Sequence, residues 1–226
     1  MKHCKDNEAM PKVAIAGTTT RHYYDDQRVA VQTLVSGGVE TDDRYFVFGN
    51  YIDEVLVMGY RYSTSWIDFY YGHDHLYSPV ALFAANGTVA ERYEYDAYGQ
   101  VQVLAPNYEL RTTSLYANAY SFTGRELDTL DAGNCTLMHY RHRAYNPEIG
   151  RFMQQDPFGT ASISSHKNKI NVLSQYHDGL SLYQYAIGNP VMNADPHGLW
   201  CIGVANPFTP GITVMPPPPV LAFPLS

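Results

Sequence analysis

Short runs of alternating polar and apolar residues, separated by turn residues, dominate the chain. In residues 91–96, Tyr93 and Tyr95 alternate with charged side chains, so the tyrosines share one face of a strand and the charges share the other. An Asn86-Gly87 pair precedes this run and residues 97–100 follow it as a second turn signal. The pattern predicts antiparallel β-hairpins.

An earlier region carries a second hairpin signal. Residues 44–48 and 51–58 are rich in β-formers and lie on either side of Gly49-Asn50, which predicts a tight turn at that pair. The aromatic and β-branched run that follows predicts further strand, with a break at Gly72.

The second half of the chain is less regular. A strand predicted over residues 137–145 would place His139, Arg141 and Arg143 on one face. Residues 160–177 interrupt the strand rhythm, and we expect an inserted loop there with at most a short helix.

Composition excludes several functional classes. The chain of 226 residues carries a formal charge of −7, which disfavours a duplex nucleic-acid reader. No window approaches eighteen consecutive apolar residues, so no membrane span is expected, and no secretory signal is visible at the start. The three cysteines are far apart and predict neither a disulfide framework nor a zinc site. No cofactor-binding motif is present. The twenty tyrosines favour sheets whose faces are partly exposed to solvent.

Several motifs together resemble the Rhs proteins. The spacing of glycine, tyrosine and aspartate in residues 87–99 is similar to the tyrosine-aspartate (YD) repeat of Rhs proteins, teneurins and insecticidal-toxin shells. The order of motifs downstream resembles the Rhs repeat-associated core domain: residues 122–128, 140–143, 146–152, 156–157, 179–186, 189–190 and 195–199.

The resemblance implies a fold and a reaction. YD hairpins of this family spiral into a hollow β shell, and the core domain plugs one end and cuts the chain to release a C-terminal polypeptide inside. Carried over by motif, the catalytic pair becomes Asp156 and Asp195, the assisting cation Arg143, and the scissile bond Leu199–Trp200. The implied partners are the chain's own tail, or a toxin or cargo polypeptide, and other YD-repeat shell segments. A secreted or cell-surface location would follow from the family.

The chemistry of such a pair is straightforward. Two carboxylates close enough to share a proton cannot both ionise cheaply, so one pKa is raised and the other lowered. One carboxylate can then activate water against the Leu199 carbonyl while the other donates a proton, and Arg143 can stabilise either charge. The resemblance, taken with this chemistry, therefore implies an intramolecular, single-turnover aspartyl autoprotease.

A second hypothesis remains open. Both Asp-Pro-x-Gly tetrads, at 156–159 and 195–198, match the preferences of a type I turn and need no catalytic role. The chain could then be a non-catalytic β scaffold or gene remnant acting in cell-surface contact or carbohydrate binding. His73 and His75 could supply two metal ligands, but no third stands at a recognisable spacing, so a structural role is favoured.

We therefore expect an all-β protein in four segments. These are a loose leader at 1–20, YD-repeat hairpins at 21–120, an Rhs-associated core domain at 121–199 acting as a plug, and an irregular, proline-rich tail at 200–226.

Overall fold

The computed structural model describes residues 10–15, 18–131, 135–157, 176 and 179–203. The chain divides into two compact units. Unit 1 comprises Met1–Asp96 and Gln100–Leu127, and unit 2 comprises Ala97–Gly99 and Asp128–Ser226. The described residues contain strands, turns and short 3-10 segments but no α-helix, which confirms the all-β prediction.

Unit 1 is built on a ten-stranded antiparallel sheet whose strands pair in chain order. Its strands are β1 (Met10–Ile15), β2 (Thr18–Asp25), β3 (Arg28–Ser36), β4 (Val39–Phe48), β5 (Val55–Tyr62), β6 (Ser65–His73), β7 (Pro79–Ala84), β8 (Val89–Tyr95), β9 (Val101–Leu104) and β10 (Leu110–Arg111). Strand β1 and the start of β2 therefore lie within the stretch predicted as a loose leader.

The alternating pattern placed β8, β9 and their turns correctly, but two details of the earlier hairpins were wrong. The connection between β4 and β5 spans residues 49–54, where the Gly49 N–H donates to the Glu54 carbonyl at 2.8 Å, so no two-residue turn forms at Gly49-Asn50. Gly72 lies inside β6 and does not end it. Its role is close packing, because a Cβ there would lie 2.8 Å from the Phe83 ring.

One face of this sheet carries the apolar core of unit 1. The segment after β10 packs against that face: the Tyr120 ring lies 4.9 Å from Phe46, and the Tyr71 hydroxyl donates to Asn118 at 2.7 Å. Aromatic side chains dominate the buried cluster, which comprises Val29, Phe46, Val55, Met58, Phe69, Tyr71, Leu82, Tyr93 and Tyr120.

A buried ion pair secures the end of unit 1. Arg125 Nη2 lies 2.7 Å from Asp53 Oδ2, and both side chains are buried. Gly124 precedes this arginine with φ +70°, and a Cβ there would lie 2.0 Å from the Asp53 carbonyl oxygen. Only glycine fits this close approach of two backbones.

Unit 2 holds two smaller sheets. The first has four antiparallel strands and begins at the unit boundary, with β11 (Leu127–Leu130), β12 (Cys135–Tyr140), β13 (Arg143–Asn146) and β14 (Arg151–Phe152). The second pairs β15 (Asn193–Ala194) with β16 (Ile202–Gly203). The predicted loop at 160–177 lies outside the described residues except for position 176, and the tail is described only to residue 203.

The strand predicted over residues 137–145 is wrong: the chain reverses there. Strands β12 and β13 form a hairpin in which Tyr140 pairs with Arg143 and His139 pairs with Ala144. Arg141 has φ +54°, the left-handed conformation that a two-residue hairpin turn needs. Arg143 therefore shares the face of Tyr140 and not that of His139.

Among the described residues, no helix has the length and apolar character needed to cross a membrane.

Candidate functional site

Unit 2 brings together the three side chains that the motif match singled out. Arg143 Nη2 lies 3.1 Å from Asp195 Oδ2 and 3.3 Å from Asp156 Oδ2, so one guanidinium nitrogen bridges both carboxylates. Asp195 is 1% exposed, and Arg143 and Asp156 are each 4% exposed. Charged groups that are buried in this way need close partners of opposite charge, and here the arginine and the aspartates serve as partners for one another.

Three different elements position these groups. Arg143 is the first residue of β13, directly after the hairpin turn. Asp156 follows β14, and its N–H donates to the Leu182 carbonyl at 3.0 Å. Asp195 follows β15 and opens a turn that closes where the Gly198 N–H reaches the Asp195 carbonyl at 3.4 Å. The two aspartates are thus brought together although they are far apart in sequence.

The Arg143 guanidinium is fixed on several sides. Besides the carboxylates, it donates from Nε to the Gly198 carbonyl at 2.6 Å and from Nη1 to the Leu182 carbonyl at 3.3 Å. Its Cζ lies 3.6 Å from the centre of the Phe152 ring, a close cation–π contact. The planar fork of an arginine makes these simultaneous contacts, which a lysine ammonium could not reproduce.

Asp195 also contacts the peptide at which a cut is predicted. Its Oδ1 accepts the N–H of Leu199 at 3.0 Å and the N–H of Trp200 at 3.3 Å. One oxygen of this carboxylate therefore lies against the backbone at residues 199–200 and the other faces Arg143. Leu199 is buried at 4% exposure, while Trp200 is partly exposed.

Four aromatic side chains pack close to this cluster. Tyr140, Tyr145, Phe152 and Tyr185 contact one another with ring centres 4.5 to 5.7 Å apart, and all four are almost fully buried. The Tyr140 hydroxyl donates to the Tyr185 hydroxyl at 3.0 Å. Burial first, and then neighbouring groups that include Asp195, raise the pKa of Tyr185 well above its usual value. Charges held beside such an apolar wall interact more strongly than charges in water.

Sequence reasoning missed two residues of the same hairpin turn. The Arg141 guanidinium donates from Nη1 to the Pro196 carbonyl, and His142 Nδ1 lies 2.9 Å from the His197 carbonyl oxygen. A run of three consecutive basic residues at 141–143 was a visible signal. The signal was missed because residues 137–145 were predicted to form one continuous strand.

In the second tetrad, residues 195–198 form a turn, and the Asp195 side chain also lies beside Arg143. Asp195 begins a turn and Gly198 adopts φ +66° within it. The turn itself directs the Asp195 side chain back toward residues 199 and 200. In the first tetrad, Phe158 and Gly159 lie outside the described residues.

The histidines considered as metal ligands lie in unit 1. His73 ends β6 with its ring stacked 6.0 Å from Tyr71, and Asp74 Oδ1 accepts the backbone N–H groups of Leu76 and Ser78 at 2.8 Å each. Asp74 therefore stabilises the loop between β6 and β7. Within the part of the chain that the structure describes, no three His, Cys, Asp or Glu side chains form a metal-binding group.

Comparison with known proteins was made by sequence and by fold. No family model matches the chain. It is 31% identical over 129 residues to YibJ, a putative uncharacterized protein of Escherichia coli, with 57% of this chain aligned. It is 25% identical over 198 residues, 81% of the chain, to the tRNA3(Ser)-specific nuclease WapA of Bacillus spizizenii. It is 28% identical over 130 residues, 57% of the chain, to toxin subunit YenC1 of Yersinia entomophaga.

A crystal structure of TcdB2–TccC3, an Rhs-repeat-containing Tc toxin assembly, shares the fold. It matches 84% of the chain with a TM-score of 0.58 at 21% sequence identity. These comparisons support assignment to the Rhs/YD-repeat family. The open antiparallel sheet of unit 1 is consistent with a section of an Rhs shell.

The chain matches only part of each relative. It spans 44% of YibJ, 8% of WapA, 11% of YenC1 and 8% of the TcdB2–TccC3 chain.

Proposed function

We propose that the chain is the Rhs-associated core segment of a toxin shell and that it cuts its own backbone between Leu199 and Trp200. Asp156 and Asp195 are the catalytic carboxylates and Arg143 is the assisting cation. The observation that carries the proposal is the position of Asp195, which contacts the Trp200 nitrogen through one oxygen and Arg143 through the other.

The closeness of the two carboxyl groups supports proton sharing. Asp156 Oδ2 and Asp195 Oδ2 lie 3.3 and 3.1 Å from the same Arg143 nitrogen, so two ionised carboxylates would repel each other, and a proton on one carboxyl relieves that repulsion. We assign that proton to Asp156, because Asp195 Oδ1 accepts the N–H groups of Leu199 and Trp200 while Oδ2 faces Arg143, and these contacts favour an ionised Asp195. Asp195 is then the ionised base.

The reaction follows the pattern of aspartyl proteases. Asp195 takes a proton from water, whose oxygen forms a bond to the Leu199 carbonyl carbon. The carbon–nitrogen bond then breaks, its electron pair stays on the Trp200 nitrogen, and that nitrogen takes the proton from Asp156. The products are a carboxylate at Leu199 and an amine at Trp200, and no oxidant or cofactor is needed.

The geometry suits one intramolecular turnover. The peptide to be cut begins only four residues after Asp195, so the reacting groups are held together by the chain itself. Such tethering can be equivalent to an effective concentration of about 10⁵ M or more. The partner of the site is therefore the chain's own C-terminal tail, or a cargo polypeptide fused there.

Intact-mass measurement of variants tests the proposal. The purified wild-type chain is expected to yield a fragment ending at Leu199, while Asp195→Asn and Asp156→Asn remain whole because the carboxyl pair is lost. Asp131→Asn makes the same chemical change at an exposed residue of unit 2 and is expected to cleave like the wild type.

Two outcomes would contradict the proposal: a wild-type chain that stays whole, or an Asp195→Asn chain that is still cut after Leu199. Samples are kept near neutral pH, because Asp-Pro bonds hydrolyse in acid and would give fragments ending at 156 or 195. A fragment of that kind in every variant reports acid damage and not the proposed reaction.

A non-catalytic scaffold that binds carbohydrate is the second candidate. The exposed aromatic residues of unit 1 favour it, since the Trp66 ring is 37% exposed, lies 5.0 Å from Tyr45 and has Arg61 at 5.3 Å. A chain that stays whole in every preparation would favour this scaffold.

A further inference from the structure

Three consecutive side chains of the β12–β13 hairpin hold three consecutive carbonyl groups. Arg141 donates to the Pro196 carbonyl, His142 Nδ1 lies 2.9 Å from the His197 carbonyl oxygen, and Arg143 Nε donates to the Gly198 carbonyl at 2.6 Å. We call residues 141–143 the carbonyl clamp. The carbonyls that it holds belong to the residues directly before Leu199.

The backbone geometry brings these two segments together. Arg141 reverses the chain in the left-handed conformation, which presents the clamp at the end of the hairpin. On the other side, the Cβ position of Gly198 lies 2.3 Å from the Tyr140 carbonyl oxygen and 3.4 Å from the Arg143 nitrogen, so the two backbones pass in direct contact.

We propose that Arg141 and His142 are positioning residues for the cleavage, and this inference rests on the proposed function. They fix residues 196 and 197, so that the turn delivers the backbone of residues 199 and 200 to Asp195 Oδ1. Their contacts with the turn end on the carbonyls of residues 196 and 197, ahead of the scissile nitrogen in the chain. They act on the cleavage indirectly, by fixing the path of the main chain.

The clamp recognises main chain and not side chains. The three contacts that define the clamp end on carbonyl oxygens, so the clamp holds the backbone of residues 196–198. The His197 ring packs against the Trp200 ring at 5.4 Å between ring centres.

The rate of cleavage tests the positioning role. Arg141→Gln is expected to slow appearance of the fragment ending at Leu199 by about 10- to 100-fold, since a displacement of about 1 Å in a reacting geometry has effects of that size. Arg141→Lys keeps a cationic donor and is expected to recover most of the rate. Arg151→Gln, at an exposed arginine of the same sheet, is expected to match the wild type.

Amide hydrogen exchange provides a readout that does not depend on catalysis. In an Asp156→Asn background, which blocks the cut, Arg141→Gln is expected to accelerate exchange of the Leu199 and Trp200 N–H groups at least tenfold. Exchange in β12 and β14 is expected to stay unchanged, which separates loss of positioning from loss of folding.

The possible failures are distinguishable. A wild-type chain that is never cut removes the proposed function itself. A wild-type chain that is cut, with Arg141→Gln cut equally fast, overturns the positioning role alone. Exchange that rises uniformly through unit 2, with Arg141→Lys no better than Arg141→Gln, also overturns it, because the arginine would then only stabilise the fold.

Discussion

At the scale of single residues, Gly198 decides how closely the proposed scissile peptide approaches the hairpin. It has φ +66°, and any Cβ there would lie 2.3 Å from the carbonyl oxygen of Tyr140. Both the left-handed conformation and the absence of a side chain are therefore needed. Because Leu199 follows directly, a shift at this position moves the backbone that Asp195 contacts.

Gly198→Ala is expected to lower stability and to slow cleavage. The clash is with backbone, which cannot move aside, and the left-handed conformation adds about 1–2 kcal/mol for a residue with a Cβ. Stability is measured by denaturant unfolding and cleavage by the time course of the Leu199-ending fragment.

Gly87→Ala is the matched control for this change. Gly87 has φ +81° but no atom within 4 Å of its Cβ position, so alanine there meets the conformational strain without the clash. Cleavage at the wild-type rate in Gly198→Ala, or an equal loss of cleavage in Gly87→Ala, would contradict the role given to Gly198.

The sequence could name the residues of the cluster but not its geometry. The motif match selected Asp156, Asp195 and Arg143, and the structure places them within hydrogen-bonding or ion-pair distance through one nitrogen. Their catalytic role stays a prediction. The contacts of Arg141 and His142 with residues 196 and 197 could not be predicted, because they join positions far apart in the chain.

At the scale of elements, local pattern succeeded at the turns that flank β8 and failed at Gly49-Asn50 and at the Arg141-His142 turn. Strands β8 and β9 follow from the alternation of tyrosines and charges and from the turns that flank them. The Arg141-His142 turn has neither glycine nor asparagine, and its left-handed arginine is compensated by tertiary contacts. Such tertiary contacts cannot be predicted from the pattern of residues that are adjacent in sequence.

Strand β8 also contains a buried carboxylate that alternation did not reveal. Glu91 is 0% exposed and accepts hydrogen bonds from Arg111 at 3.0 Å, from the Leu115 N–H at 3.0 Å, and from the hydroxyls of Tyr93 and Ser114 at 2.7 and 2.5 Å. These contacts tie the segment after β10 to the sheet.

Glu91→Gln is expected to lower the free energy of unfolding by about 1–3 kcal/mol, because one acceptor oxygen becomes an NH₂ group facing donors. Glu94→Gln, an exposed position on the same strand, is expected to stay within about 0.5 kcal/mol of the wild type. Urea unfolding of both variants measures the difference. Equal stabilities would contradict the structural role of Glu91.

At the scale of the whole molecule, buried tyrosines link folding to alkaline pH. Burial is the largest cause that raises the pKa of Tyr71, Tyr93, Tyr95, Tyr120 and Tyr185 above the usual value. In the unfolded chain these hydroxyls ionise near pH 10, but in the folded chain they remain protonated. Their stabilising contribution is complete below the unfolded pKa and is lost as the pH rises toward the folded one.

We therefore expect the free energy of unfolding to fall above about pH 10, by roughly 1.4 kcal/mol per pH unit for each such tyrosine. Urea unfolding between pH 9 and pH 11 measures this slope. Tyr71→Phe removes one of the titrating groups and should reduce the slope by roughly 1.4 kcal/mol per pH unit, the contribution of one tyrosine. A stability that does not change over this range would contradict the burial of these hydroxyls.

The central claim concerns one peptide bond, and the mass of the purified wild-type chain at neutral pH tests it most directly. The account predicts a fragment that ends at Leu199 together with a released peptide that begins at Trp200. A chain that keeps its full mass after folding, with residues 199 and 200 still joined, would contradict it.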